Sequence, residues 1–358
     1  MANARIERWV RPAVRVLSAY HVPESTGYVK LDAMENPYPW PEELVAPWLE
    51  VLKDVHLNRY PDAEAASLKS RLRAHLQLPS GVELVLGNGS DELIQMVCLA
   101  LAGPGRVLLA PEPTFAMYRI IAGITGLEYV GVPLRGDDFS LDVDSMLQAI
   151  EAHEPALVAL CRPNNPTGNL FARSAMEAII EASPGVVLID EAYFYFARET
   201  FLNVLAKYEH VMVLRTLSKL GLAGLRVGML MGSLAWLHEI NKLRLPYNLN
   251  TLSQKSCEFM LGHVEVLSSQ AERIRVDRES LYRELKTVPG LEVWSSHTNF
   301  LLMRVRDTAL RLFEGLKEHK ILVKNLDGTH PLLRECLRVT IGTPEENQAL
   351  VATLRALL

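Results

Sequence analysis

Lys219 sits in the stretch Thr216-Leu217-Ser218-Lys219-Leu220-Gly221-Leu222-Ala223-Gly224-Leu225-Arg226, a loop of small and hydroxyl-bearing residues. An amine in such a loop can condense with a carbonyl group, and the neighbouring hydroxyls and Arg226 are donors suited to a phosphate. On its own a Ser-Lys pair reads as an ordinary surface lysine. Two upstream clusters change that reading. Arg162-Pro163-Asn164-Asn165-Pro166-Thr167-Gly168 follows the apolar run Leu157-Val158-Ala159-Leu160, and Asp190-Glu191-Ala192-Tyr193 follows Gly185-Val186-Val187-Leu188-Ile189.

These runs have the length and composition of buried strands, as do Val211-Met212-Val213-Leu214 before the lysine and Val227-Gly228-Met229-Leu230-Met231 after it. Ligands of open α/β sheets bind beyond the carboxyl ends of the strands, so all three polar clusters fall on one rim. The carbonyl cofactor that also carries a phosphate is pyridoxal phosphate. A further strand, Glu83-Leu84-Val85-Leu86, runs into Gly87-Asn88-Gly89-Ser90-Asp91-Glu92 and a helix through Leu101. Here glycines allow close backbone approach, Ser90 or Asp91 is expected to cap the helix, and its free amides could hold an anion. Taken alone, the same glycines fit a simple strand-to-helix turn.

Strand Val107 to Ala110 leads to Pro111-Glu112-Pro113-Thr114-Phe115-Ala116-Met117-Tyr118 and a helix to about Thr125. With strands near Tyr129, Val158, Val187, Val213 and Met229, seven strand signals alternate with helices. The expected fold class is α/β, a seven-stranded mostly parallel sheet flanked by helices. An amphipathic helix is expected over 63–78, a helix near Trp236, a break at Arg244-Leu245-Pro246-Tyr247-Asn248, and one long helical stretch, kinked around Gly262, to about Thr287. The last hundred residues change to short strands and two helices. Those helices span Thr308 to Lys317 and a final segment started by Thr343, Pro344 and Glu346, as in a smaller α+β domain. The expected division is an arm and part of the small domain over 1–50, a large domain over 51–249 and the small C-terminal domain over 250–358.

At 358 residues the chain can bury two sizeable cores, and a net charge of −5 without a basic stripe gives no sign of nucleic-acid binding. Cys98, Cys161, Cys257 and Cys336 are scattered, with no metal-ligand spacing, which points to reduced core cysteines of a cytoplasmic protein. No run approaches transmembrane length. Arg5, Arg8, Arg11 and Arg15 lie in a segment without the apolar core of a secretory signal, and it is read as an N-terminal arm with a short helix.

The order Asn165-Pro166-Thr167-Gly168, Asp190 to Tyr193, Ser218-Lys219, Arg226 resembles that of the fold type I pyridoxal-phosphate aminotransferases. Leu31-Asp32-Ala33-Met34-Glu35-Asn36-Pro37-Tyr38-Pro39 and Asn58-Arg59-Tyr60-Pro61-Asp62 further resemble signatures of the histidinol-phosphate aminotransferases, with Met34 where asparagine is usual. Arg226 follows the lysine by seven residues where many relatives have eight, so a shortened loop is expected. The resemblance implies that Lys219 holds the cofactor as a Schiff base and then moves the substrate proton, and that Asp190 pairs with the pyridine nitrogen. Tyr193 and Asn165 are implied to donate to the cofactor's phenolic oxygen, and Phe115 to stack on the ring. Thr216, Ser218, Arg226 and the amides of Gly89, Ser90 and Asp91 would bind the phosphate. Tyr60 would reach the phosphate of a neighbouring subunit, making the active unit a homodimer.

Arg338, in Cys336-Leu337-Arg338-Val339-Thr340-Ile341-Gly342-Thr343, matches the family's substrate arginine, with Lys324, Tyr20 and Asn36 as helpers. The implied reaction exchanges an amino group between L-histidinol phosphate and 2-oxoglutarate. An aromatic or broad-range amino-acid aminotransferase and a threonine-phosphate decarboxylase are the alternatives within the superfamily. A non-catalytic cofactor-sensing module is a third, although no helix-turn-helix precedes the region. No metal, nucleic acid or membrane partner is expected.

Overall fold

The computed structural model describes residues 2–19, 22–136, 138–305 and 309–358. Two short helices, Ala2–Trp9 and Pro12–Arg15, form the N-terminal arm. The first strand, β1 (Val29–Lys30), lies outside the large sheet. That sheet is built from β2 (Val82–Asn88), β3 (Val107–Glu112), β4 (Glu128–Pro133), β5 (Leu157–Cys161), β6 (Val186–Asp190), β7 (Val211–Thr216) and β8 (Val227–Ser233). Its order is β2-β8-β7-β6-β5-β3-β4. Only β8 runs against its neighbours β2 and β7, while the pairs among β3 to β7 are parallel.

Every residue of β5, β6 and β7 is buried, which is why their sequences are continuous apolar runs rather than alternating ones. Alternation survives in which core each residue enters. Val187, Ile189, Val211 and Val213 pack on one face, and Val186, Leu188, Met212 and Leu214 on the other. The remaining strands are β9 (Leu291–Val293), β10 (Phe300–Val305), β11 (Ile321–Leu322), β12 (Lys324–Asn325) and β13 (Cys336–Thr340). An antiparallel sheet has the order β12-β13-β10-β9, and β11 pairs in parallel with β1. The chain's beginning is thereby joined to its C-terminal third.

Four local expectations need correction. Gly89, with φ +83°, is the N-cap of helix Ser90–Leu101, and neither Ser90 nor Asp91 makes a side-chain cap bond because both already lie in the first turn. The helix expected over 63–78 is shorter, Ala66–His75, since Asp62 accepts from the amides of Glu64 and Ala66 and sets its start. The stretch around Gly262 is broken rather than kinked. Gly262 and His263 donate back to Phe259 and Met260, which closes Thr251–Leu261 before Val264–Leu285 begins. The helix expected from Thr308 to Lys317 is Ala309–Glu318, with Thr308 itself outside the described residues.

The four cysteines are buried and free. Among the described residues no helix is long and apolar enough to cross a membrane, and no cluster of side chains could hold a metal ion.

The final helix, Pro344–Leu357, starts with a full capping box in which Thr343 Oγ1 accepts from the Glu346 amide and Glu346 returns a bond to the Thr343 amide. Thr343→Ala removes half of it. The expected cost is about 1 kcal/mol, read as a lower denaturant midpoint at unchanged m-value.

Candidate active site

The carboxyl ends of β5, β6 and β7 bring the polar clusters together. Cys161 at the end of β5 pairs with Asp190 at the end of β6, and Asp190 pairs with Leu214 on β7, two residues before Thr216. Asp190 is only 2% exposed. Its Oδ2 accepts from the Tyr118 hydroxyl at 2.8 Å and its Oδ1 from the Ala192 amide at 2.9 Å. Burial raises its pKa to about 6 although both hydrogen bonds favour the carboxylate. Such a group is ready for a cationic partner. Tyr118 was not anticipated from the sequence, and Phe115 packs edge-on against it with centroids 5.6 Å apart.

Lys219 follows β7 on a tight turn in which Gly221 takes φ +126° and Arg226 φ +55°. These two left-handed residues let the seven-residue spacing return Arg226 to the site. Lys219 Nζ donates to the Ala33 carbonyl at 3.2 Å. Burial, aided by Arg338 and Arg226, lowers its pKa to about 8, against the pull of Glu35 and Asp91. In cofactor-free protein, capture of an aldehyde by this amine is expected to rise with pH and reach half its maximum near pH about 8, measured by the absorbance of the product. The folded chain releases this proton near pH about 8, whereas a lysine in the unfolded chain keeps it to about 10.5. Unfolding therefore takes up a proton in that interval, and this group's contribution to stability rises from pH about 8 to about 10.5.

Of the groups expected to bind a phosphate, Thr216, Ser218 and Arg226 lie together, but the Gly89 amide is taken up by the Arg226 and Gly87 carbonyls. The Thr216 hydroxyl donates to Ser218 Oγ at 2.9 Å, and Arg226 Nη1 donates to the same oxygen at 3.3 Å. The Gly89 amide donates to the Arg226 carbonyl at 2.8 Å. A Cβ on Gly89 would lie 2.4 Å from Arg226 Nη2, and one on Gly228 would lie 2.5 Å from the Gly89 carbonyl carbon. Both positions must be glycine for the guanidinium to sit against the start of helix Ser90–Leu101. Its first-turn Asp91 has a buried Oδ1 without a hydrogen-bond partner. Burial raises the Asp91 pKa while Arg226 and Lys219 pull it down. A helix N-terminus, two hydroxyls and a guanidinium form a donor set suited to a phosphate, the Lys219 amine and the buried Asp190 carboxylate add a nucleophile and an acceptor, and the whole fits pyridoxal phosphate.

Arg338 on β13 joins the two sheets, with Nη1 donating to Asn165 Oδ1 at 2.5 Å and Nη2 to the Asp32 carbonyl at 3.0 Å. Asn165 Nδ2 in turn donates to the Tyr193 hydroxyl at 3.2 Å. Burial holds that phenol protonated far above its ordinary range. Lys324 is the cross-strand partner of Arg338, which sets two cationic side chains next to each other.

Asn36 lies beside the lysine loop with its amide spent on the Leu220 carbonyl at 3.0 Å and Gln270 Oε1 at 2.8 Å, while its own oxygen accepts from Tyr38. Tyr60 is 79% exposed and stacks on Tyr247 with ring centroids 4.4 Å apart. Tyr20 is outside the described residues. Met34 has φ +54°, a conformation asparagine adopts readily, and is held there by Thr340 Oγ1 on its amide and Asn299 on its carbonyl.

A family model described as aminotransferase class I and II matches residues 26–354. The chain belongs to the class I and II aminotransferases. This aminotransferase is 54% identical to histidinol-phosphate aminotransferase 2 of Nitrosococcus oceani over 99% of both chains. It is 47% identical to the histidinol-phosphate aminotransferase of Chromobacterium violaceum over 98% of both. Its fold is similar to that of a histidinol-phosphate aminotransferase from Sinorhizobium meliloti in complex with pyridoxal-5'-phosphate, with a TM-score of 0.86 and 22% identity over 98% of this chain and 97% of that one. An L-threonine-O-3-phosphate decarboxylase from Porphyromonas gingivalis has a similar fold too, with a TM-score of 0.79 and 21% identity over 92% of this chain and 98% of that one. The fold is therefore common to two reaction types, and only residues distinguish them.

Proposed function

We propose that this aminotransferase uses pyridoxal phosphate to exchange an amino group between L-histidinol phosphate and 2-oxoglutarate, as a cytoplasmic homodimer. The observation that carries the substrate assignment is the pairing of Arg338 with Lys324 across β12 and β13, beside Asn165. Two adjacent cations suit a dianionic phosphate in one half-reaction and a carboxylate in the other. The names of relatives at 54% and 47% identity agree with it.

Bound pyridoxal phosphate supplies an electron sink for the pair left when the substrate's α-proton departs. Asp190 would hold its carboxylate towards the pyridine nitrogen, and Tyr118 and the Ala192 amide fix the orientation of that carboxylate. Lys219 Nζ, whose pKa is lowered to about 8, would take the substrate's α-proton and pass it on rather than back to the same carbon. Arg226, Ser218, Thr216 and the first amides of helix Ser90–Leu101 hold the phosphate. Arg338 and Lys324 hold the far end of the substrate. The exposed Tyr60, with Tyr247 behind it, would extend to the phosphate in a second subunit. A division at 51–249 and 250–358 would leave the site at the junction of the two units.

The purified yellow enzyme is expected to convert to its amine-carrying form rapidly with histidinol phosphate and slowly with phenylalanine, followed by absorbance. Faster conversion with phenylalanine overturns the substrate assignment, and release of carbon dioxide from threonine phosphate favours a decarboxylase.

A further inference from the structure

We infer that the opposite face of β6 and β7 carries a second binding site, for a small oxyanion. A cavity of about 430 Å³ opens there between residues 194–202, the end of helix Ala66–His75 and helix Val264–Leu285. Glu191 and Arg215 follow Asp190 and precede Thr216 in the sequence, and strand alternation turns them away from the cofactor donors. Arg215 is 2% exposed, and its Nε and Nη2 are held by Glu191 Oε2 at 2.9 and 2.8 Å. Nη2 also donates to Thr200 Oγ1 at 2.7 Å and the guanidinium stacks on Phe194 at 3.5 Å, which leaves Nη1 without a hydrogen bond among the described residues on a side chain that lines the cavity.

Two further donors line the same space. Tyr195 and Arg275 are lining residues, and the Tyr195 hydroxyl and Arg275 Nε lie buried beneath that lining without a hydrogen-bond partner, within reach of a ligand that shifts either side chain. Buried unpartnered donors carry a desolvation cost that a bound acceptor removes. The charge balance points the same way. Arg198, Arg215 and Arg275 face the cavity, while the nearby acids are Glu191, on Arg215, and Glu272, shared by Arg198 and Arg275. Three cations against two carboxylates leave one positive charge. Its field is felt by His75, whose pKa is lowered by burial and then by Arg215. Phe194, Leu202 and Ala271 line the remainder, which leaves room for an apolar stem, so the ligand class is a carboxylate or a phosphate monoester.

The test uses holoenzyme, with inorganic phosphate and succinate as probes in separate calorimetric titrations at constant ionic strength. The comparison is with Tyr195→Phe and Arg275→Gln, neither of which touches the cofactor donors, so turnover and the cofactor spectrum are expected to remain those of the parent. At least one probe is expected to bind roughly tenfold more weakly to Arg275→Gln and several-fold more weakly to Tyr195→Phe. Loss confined to phosphate, or confined to succinate, supports the site and names its ligand chemistry. Isotherms of both variants superimposable on the parent's for both probes overturn it, because any anion then bound sits elsewhere. Tyr195→Phe removes one hydroxyl only, so the comparison survives even if Arg275→Gln folds poorly.

Discussion

Lys219→Ala is expected to yield a folded, cofactor-binding protein whose turnover is lower by more than roughly 10⁴-fold. A positioned acid-base group alone accounts for about 10²–10⁴-fold, and in the proposed function this residue would also anchor the cofactor, so its loss would remove two functions. The fold itself should not suffer. The ammonium is held down to a pKa of about 8 by burial and by Arg338 and Arg226, so at neutral pH it is a buried cation among cations. Among the described residues its hydrogen bond to the Ala33 carbonyl is the only one lost. Binding persists through Arg226, Ser218, Thr216 and Asp190, with the absorbance of free aldehyde in place of the lysine-bound form. Added methylamine is expected to restore part of the rate, because a small amine can occupy the space vacated by the side chain. Full rescue is not expected, since a tethered amine avoids the entropy of bringing a separate molecule into place. Turnover within tenfold of the parent would show that another group moves the proton.

The parts of this site that were legible in the sequence are those governed by local rules. A polar residue at the end of a buried apolar run must lie at a strand end, and Asp190 and Thr216 are located that way, with Asn165 in the loop that follows Cys161. The sheet was legible for the same reason, because fully buried parallel strands leave uninterrupted runs such as Leu157–Cys161. The capping box at Thr343 is likewise a four-residue pattern. What depended on rotation or distant packing was not legible. Tyr118 reaches Asp190 from the first turn of helix Met117–Thr125 across 72 residues, a contact that no local pattern marks. The bond from Arg338 to Asn165 spans 173 residues, and only the packed sheets create it. Ser90 and Asp91 were expected as caps from residue type, but the chain enters that helix through the positive φ of Gly89.

The shortened loop makes the same point from the other direction. Residue counting alone leaves Arg226 one position early. Left-handed conformations at Gly221 and Arg226 take up the difference, and the guanidinium still meets Ser218 and Gly89. Spacing is thus a weaker constraint than the identity of the group delivered, provided a glycine is available where the path must bend.

Asp190→Asn is expected to lower turnover by roughly 10²–10³-fold while making the cofactor-free protein more stable. The two effects have one cause. In the absence of a cationic partner Asp190 is a buried carboxylate whose pKa has risen to about 6, so the folded chain holds a proton that the unfolded chain has given up above about 3.8. The contribution of this group to stability is therefore greatest below about 3.8, is lost as pH rises towards about 6, and stays lost above it. Asparagine carries no charge and escapes that loss; its one carbonyl oxygen can still accept from the Ala192 amide, while its NH2 takes the place of Oδ2 and donates to the Tyr118 hydroxyl oxygen. The melting temperature of cofactor-free Asp190→Asn should match the parent's near pH about 4 and exceed it above pH about 6. With pyridoxal phosphate bound the order reverses, because the pyridinium nitrogen compensates the carboxylate of the parent and finds no charge in the variant. Weaker cofactor retention and a ring nitrogen that loses its proton at lower pH, seen in the absorption spectrum, should accompany the fall in turnover. Equal melting temperatures for the two cofactor-free proteins across pH 4 to about 8 would mean that the carboxylate is not carrying its burial cost in the empty site, and the electrostatic account of Asp190 would then fail.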